Sequence, residues 1–289
     1  MAPGARAVTR FGVPDLGVGV GYRIPHYRFV VERRPAMDFF EVLSENFMVD
    51  GGSPRHFLDR LAALYPLVAH GVSLSVGSDP EPGYLDRLSE MLSRFNPPWW
   101  SDHLCFTGVV GRRVHDLLPL PYTAETIRHV SDRIKQAQDR TGRLFAVENV
   151  SSYLSYRDSG MPEEEFLASV VEAADCAVLL DVNNIYVSAC NHGFDPEVYL
   201  AAVPADRVVQ IHLAGHTVKD EGYRLDTHDR PVCDAVWDLY RAAIRKLGSV
   251  TTLIEWDGDI PTFERLAEEA ALARSHRDAA LEEASHAAA

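Results

Sequence analysis

The chain has 289 residues, 46% of them hydrophobic, and carries a formal net charge of −14. That is enough apolar material for one large domain or two small ones, and an acidic surplus with no Lys/Arg cluster to offset it argues against a nucleic-acid partner. No stretch reaches the roughly eighteen consecutive apolar residues of a membrane helix, residues 1–15 lack a signal-like apolar core, and Cys105, Cys176, Cys190 and Cys233 form no CxxC pair, so a cytoplasmic protein with no membrane association is expected.

Residues 1–15 read as a flexible lead-in. Short apolar runs then recur at Leu16–Arg23, Phe39–Ser44, Leu67–Val76, Trp99–Phe106, Leu144–Val150, Cys176–Val182, Val208–Leu213 and Thr251–Trp256, giving eight candidate strands. Helical spacing with start or stop signals lies between them: Ser53-Pro54 before HFLDRLAALY, Thr123 before AETIRHVSDRIKQAQ with Gly142 after it, Asp195-Pro196 before EVYLAAV, and Gly248 closing VWDLYRAAIRKL. Strands alternating with helices mean parallel βα units. The expected fold is therefore α/β, a (β/α)8 TIM barrel over residues 16–274, with an open doubly wound sheet as the alternative. The Ala/Glu-rich segment 275–289 reads as a frayed helix or tail.

In a parallel barrel the C-terminal ends of all strands open onto one face. Those ends carry His70 in VAHGVSLSVG, His103 in SDHL, Glu148 and Asn149 in AVENVSSY, Asp181 and Asn184 in LLDVNN, His212 and His216 in IHLAGH, and Glu255 in LIEWD, and the loop after the seventh strand carries Asp226 and His228 in LDTHD. For one such residue a core hydrogen bond or a helix cap is explanation enough. Here it would have to be invoked independently on six strands, whereas metal ions between the carboxylates and imidazoles account for all of them at once. With no cysteine in the set and more donors than one ion can use, a mixed N/O cluster of two or three Fe, Mn or Zn ions fits better than a single structural zinc. Tyr22, Arg23, Asn46, Tyr153, His192 and His216 lie on or beside the same face as candidate substrate contacts, with packing or loop hydrogen bonding as the alternative.

The phrases HGVSLSVGS, SDHL, DLLPLPYT, ENVSSYL, LLDVNNIYVSACNHGFDP, IHLAGH, DTHD, VWDLY and LIEWD, from about Leu16 to Leu266, resemble the multinuclear non-haem iron-dependent oxidative enzymes, a bacterial family long described only as a domain of unknown function. That family is similar in fold to the xylose-isomerase-like barrels, including endonuclease IV, whose metal ligands follow the same order. The resemblance implies that His70, His103 and Glu148 hold one metal, that Glu148 bridges to a second completed by Asp181, His212 and Glu255, and that Asp226 and His228 bind a third. Glu148, Asp181 and His212 become the candidate catalytic residues. Asn184 stands where the endonuclease has a histidine ligand, and Asp102 stands where the family pattern has Glu. The resemblance further implies two or three iron ions (Fe2+/Fe3+), O2 as co-substrate, and oxidation of a residue, most often cysteine, in a ribosomally made precursor peptide delivered by a partner protein. The competing functions are a metal-dependent hydrolase of the endonuclease IV type, a sugar isomerase on the same barrel, and a non-catalytic metal carrier.

Overall fold

The computed structural model describes residues 9–109, 112–220 and 222–287. Its elements in chain order are β1 (Val18–Tyr22), α1 (Tyr27–Arg33), β2 (Phe40–Leu43), α2 (Gly52–Ala62), β3 (Leu67–His70), α3 (Tyr84–Ser93), β4 (Trp100–His103), β5 (Phe106–Val109), β6 (Arg112–Leu118), α4 (Ala124–Thr141), β7 (Phe145–Glu148), α5 (Glu163–Ala174), β8 (Ala177–Asp181), α6 (Val182–His192), α7 (Pro196–Ala202), β9 (Val208–Leu213), β10 (Thr217–Val218), β11 (Arg224–Leu225), α8 (Asp234–Leu247), β12 (Thr251–Ile254) and α9 (Phe263–Ala287). Eight strands close into a barrel in the order β1-β12-β9-β8-β7-β4-β3-β2, every pair parallel. The fold is a (β/α)8 TIM barrel. Two antiparallel ribbons, β5–β6 and β10–β11, project from loops that follow β4 and β9.

Alternation along each strand places the site. A floor cluster inside the barrel contains Phe39, Val68, Trp99, Ala146, Leu179 and Leu253. Because side chains on one face recur every second residue, the next inward positions up from these are Glu41, His70, Ser101, Glu148, Asp181 and Glu255. The bottom of the barrel is apolar and the top is not. The other face of the sheet packs against the helices in a second, larger core. There Thr123 caps α4 by accepting from the Thr126 amide at 3.1 Å, and Gly142 ends that helix at φ 62°.

Several boundaries differ from the sequence expectation. Strand β3 stops at His70 instead of Val76, because carboxylates take the amides beyond it: Glu45 Oε1 accepts from Val72 N at 3.0 Å and Asp102 Oδ2 from Leu74 N at 2.9 Å. The NNIYVSACNH stretch is helix α6, begun directly by Asp181, whose Oδ1 accepts from Asn184 N at 2.6 Å. Of the lead-in, residues 1–8 lie outside the described residues. Within 9–15, Phe11 and Val13 pack, together with Leu16, partly buried against the barrel floor, and Arg10 N donates to Asp206 O at 3.0 Å. The segment read as a frayed helix or tail continues α9 to Ala287, with Ala280 buried in the core.

Candidate metal centre

Glu148 sits at the centre of the barrel mouth, 1% exposed, and its two oxygens face different partners. Oε2 lies 3.3 Å from His70 Nε2 and 3.3 Å from His103 Nε2, whereas Oε1 lies 3.5 Å from His212 Nδ1. His212 Nδ1 in turn lies 3.1 Å from Glu255 Oε2. Donors from His70, His103 and Glu148 form one convergent group and donors from Glu148, Asp181, His212 and Glu255 a second, all within 4.8 Å of one another in each. Two donors on one first-row ion at about 2.1 Å stand roughly 3.0 Å apart at a right angle and about 3.4 Å apart at the tetrahedral angle. The separations of 3.1 and 3.3 Å fall in that range, and the 3.5 Å between Glu148 Oε1 and His212 Nδ1 lies just beyond it.

Unpartnered atoms point the same way. His70 Nε2, Glu148 Oε2, Asp181 Oδ2 and Asn184 Oδ1 are buried without a hydrogen bond, a costly arrangement unless a cation satisfies them. The remaining atoms of these side chains are engaged, which aims the free ones. His70 Nδ1 lies 2.9 Å from Ser101 Oγ, leaving the Nε2 lone pair for the centre. Asp181 uses Oδ1 to cap α6, and its backbone is clamped by Asn149, which donates to Asp181 O and accepts from Asp181 N at 2.9 Å each. Asp181 is thus both helix cap and candidate ligand, one function per oxygen.

The electrostatics are those of a centre built for added positive charge. Burial, then the Glu148 charge, hold the Asp181 carboxyl well above the usual carboxylate range. Burial likewise raises Glu148 against the pull of His103 and His212. Burial, with His103 and His212 beside it, drives His70 well below the ordinary histidine value, so it is a neutral imidazole with a free lone pair. Burial pushes His103 down, but Glu148 and Asp102 outweigh it and raise its imidazole to about 9. His212 is raised well above its usual range in the same manner, by Glu41, Glu255 and Glu148 acting against burial.

A third group unites His228, Glu255 and Asp257, where the resemblance paired His228 with Asp226. His228 Nε2 lies 2.6 Å from Asp226 Oδ1 and its Nδ1 3.3 Å from Glu255 Oε2. Asp226 is otherwise committed to holding its loop: Oδ1 accepts from Asn183 Nδ2 at 2.7 Å and Oδ2 from Ser151 Oγ at 3.1 Å. The loop reaches the centre because position 215 is glycine. A Cβ there would fall onto the backbone carbonyls of Arg230 and Pro231.

The six candidate substrate contacts divide. Arg23 belongs to the centre: Nη2 lies 3.2 Å from Glu255 Oε1 and Nε donates to Asp257 Oδ1 at 2.6 Å. Gly21 permits this, since a Cβ there would lie 2.9 Å from the guanidinium carbon. Tyr153, His192 and His216 hold loops: the Tyr153 hydroxyl accepts from Asp226 N at 2.9 Å, His192 Nε2 lies 2.8 Å from Ser152 Oγ, and His216 Nδ1 lies 2.8 Å from Asn183 Oδ1. Tyr22 is fully buried in the helix–sheet core, stacked on Tyr27 at 4.3 Å, away from the mouth, and Asn46 lies beside the Tyr27 phenol. Glu41, Gln210 and Asp257 were missed from the sequence. Glu41 carried the same signal as Asp181, a carboxylate inside a strand buried on both faces.

A sequence profile described as RiPP precursor modification enzyme MbnB/TglH/ChrH matches residues 17–278. The chain belongs to that family. Its members are enzymes that act on precursors of ribosomally made peptides, and they are the multinuclear iron family whose motifs the chain carries. Among curated relatives, a UPF0276 protein of Anaeromyxobacter sp. is 52% identical over 268 residues, covering 92% of this chain and 94% of its own. A UPF0276 protein of Caulobacter vibrioides is 52% identical over 265 residues, covering 91% and 94%. Among solved structures, endonuclease IV from Thermus thermophilus superposes with a TM-score of 0.58 at 19% identity, over 93% of this chain and all of that one. The 3-keto-D-glucoside 4-epimerase YcjR from E. coli gives 0.53 at 16% identity, over 89% and 98%. At these identities the structural likeness concerns the fold. Among the described residues no helix is long and apolar enough to cross a membrane.

Proposed function

We propose that this chain is a cytoplasmic, multinuclear iron enzyme that uses O2 to oxidise a residue, taken to be cysteine, in a precursor peptide presented by a partner protein. The observation that carries this reading is the division of labour at Glu148, whose two oxygens each serve a different donor group. His70 and His103 would hold one ion, Asp181, His212 and Glu255 the second, with Glu148 between them; His228, with Asp226, Asp257 and Glu255 around it, offers a third position. When bound, the irons would seat the substrate thiolate and pass electrons from the oxidised residue to O2.

The chain's own residues supply geometry and field. Helix α6, clamped through Asn149, fixes Asp181; Ser101 fixes the His70 tautomer; Arg23 places a permanent cation over Glu255 and Asp257. The chain's net charge of −14, with no Lys/Arg cluster to offset it, disfavours a phosphate backbone as substrate.

The test has two arms. Protein purified under iron-replete conditions is analysed for metals, and a Cys-bearing precursor encoded beside the chain, with its neighbouring partner protein, is incubated with it in air and under nitrogen. Two or more irons per chain and O2-dependent mass change support the reading. One zinc and no iron, or turnover of apurinic-site DNA or a ketose under nitrogen, overturns it in favour of the hydrolase or the isomerase.

A further inference from the structure

We propose that Glu41 is a positioning residue of the metal centre, fixing the tautomer of His212 and lending its imidazole negative charge from beneath. Glu41 lies on β2, fully buried inside the barrel. Its Oε2 is 3.0 Å from His212 Nε2 and 2.6 Å from Gln210 Nε2. The orientation of Gln210 is set from the barrel floor. Trp99 Nε1 can only donate, and it lies 2.7 Å from Gln210 Oε1, so that oxygen is the acceptor and the amide nitrogen is the end turned to Glu41.

Gln210 Nε2 and His212 Nε2, 2.9 Å apart, both lie on that one carboxylate oxygen. An ionised carboxylate accepts and cannot donate. Carboxylates face both ring nitrogens of His212, Glu41 at Nε2 and Glu148 with Glu255 at Nδ1; an ion seated among the carboxylates at Nδ1 takes that lone pair and leaves the proton on Nε2, directed at Glu41. The relay Trp99 to Gln210 to Glu41 to His212 spans the barrel from its apolar floor to the metal centre, and none of its first three members is a donor in the convergent groups. A carboxylate behind a ligating imidazole makes it a stronger donor and orients its ring.

The inference rests on the metal reading of the centre and is independent of iron, O2 and peptide. Its test is metal retention. Glu41→Gln keeps the size of the side chain and an oxygen that can accept from both nitrogens, and it removes the charge. As-isolated parent and variant are dialysed against increasing chelator and analysed for metal. The ion completed by His212 should leave the variant at about 10–100-fold lower chelator concentration, while the ion at His70 and His103 leaves both proteins at the same concentration. Trp99→Phe, which frees Gln210 to turn, should shift the same step in the same direction by less. In the zinc-substituted parent, 15N NMR of the histidines should show His212 protonated at Nε2, a readout that needs no variant to fold. Identical release curves for parent and Glu41→Gln, a shift in the His70 step instead, or a His212 protonated at Nδ1 would overturn the proposal. Loss of the peptide reading alone would leave all of these measurements unchanged.

Discussion

Glu148 and His212 meet through the carboxylate oxygen that His70 and His103 do not use: Oε1 is 3.5 Å from His212 Nδ1, and Oε2 is 3.3 Å from both of the other imidazoles. One side chain from β7 thereby joins donors from β3, β4 and β9. Glu148→Gln leaves an amide whose nitrogen cannot ligate and whose oxygen is neutral, so one group loses its donor and the other keeps only a weaker one. The variant should retain less than one ion per chain and lose more than about 100-fold in turnover, whereas His70→Ala should remove one ion. Elemental analysis of the two purified variants decides it; full metal content in Glu148→Gln would show that the carboxylate does not bridge.

Asp181 separates structure from ligation. Asp181→Asn keeps an oxygen to cap α6 and replaces Oδ2, the unpartnered atom, by an NH2 group. In protein stripped by chelator, the variant should melt at or above the parent, because it removes a carboxylate that burial and Glu148 disfavour in the ionised form. With metal supplied, the order should reverse. Asp181→Ala should cost about 1 kcal/mol more than Asp181→Asn in the stripped state through loss of the cap. Calorimetry of the three proteins with and without metal checks both statements.

Much of this was legible in the sequence because the barrel converts linear order into convergence. Val68-Ala-His70, Ala146-Val-Glu148, Leu179-Leu-Asp181 and Leu253-Ile-Glu255 each step from the floor to the mouth in two residues, so a polar residue ending an apolar run marked the site. Glu41 escaped notice since it stands in the middle of its apolar run, between Phe40 and Val42, and not at the end where the other polar residues of the site stand. The length of β3 was overestimated because Val72 and Leu74 are apolar enough for a strand while their amides are taken by Glu45 and Asp102, partners distant in sequence. Asp257 was missed because its role depends on Arg23 folding back over Gly21, a contact between opposite ends of the chain.

Away from the metals, Glu163 accepts from the Tyr122 and Tyr199 hydroxyls, at 2.9 Å each, where α5 begins. Burial raises its carboxyl to about 7 in spite of those two bonds. A carboxyl whose pKa is higher folded than unfolded binds its proton more tightly in the native state. Its stabilising effect is complete below the unfolded value near 4.5 and is lost as pH rises through 7. Relative to Glu163→Gln, the parent should lose on the order of 3 kcal/mol between pH 4.5 and 7. Urea unfolding of both proteins across that interval measures it; parallel pH profiles would show that the proton is not held by Glu163.

The third position should be the weakest. His228 is its one imidazole, held in the left-handed region at φ 46°. Asp226 is drawn off by Asn183 and Ser151, and Glu255 is shared with His212 and with Arg23. Asn184 offers only an amide oxygen, a weaker donor than an imidazole to a first-row ion. That oxygen is buried and unpartnered while Asn184 Nδ2 donates to Asn149 O at 3.1 Å, so the side chain is oriented with its acceptor free. Mild chelation should therefore remove this ion before the other two, and His228→Ala should empty it while the pair joined by Glu148 stays. Asn184→His places a second imidazole one helical turn from the Asp181 cap and should raise the chelator concentration needed to strip the third ion by about tenfold, the worth of one improved ligand interaction at the low end of such effects. Metal content against chelator concentration for the parent, His228→Ala and Asn184→His follows all three sites together. Three ions leaving the parent in one step, or an unchanged curve for Asn184→His, would mean that the free amide oxygen of Asn184 does not face the position beside His228.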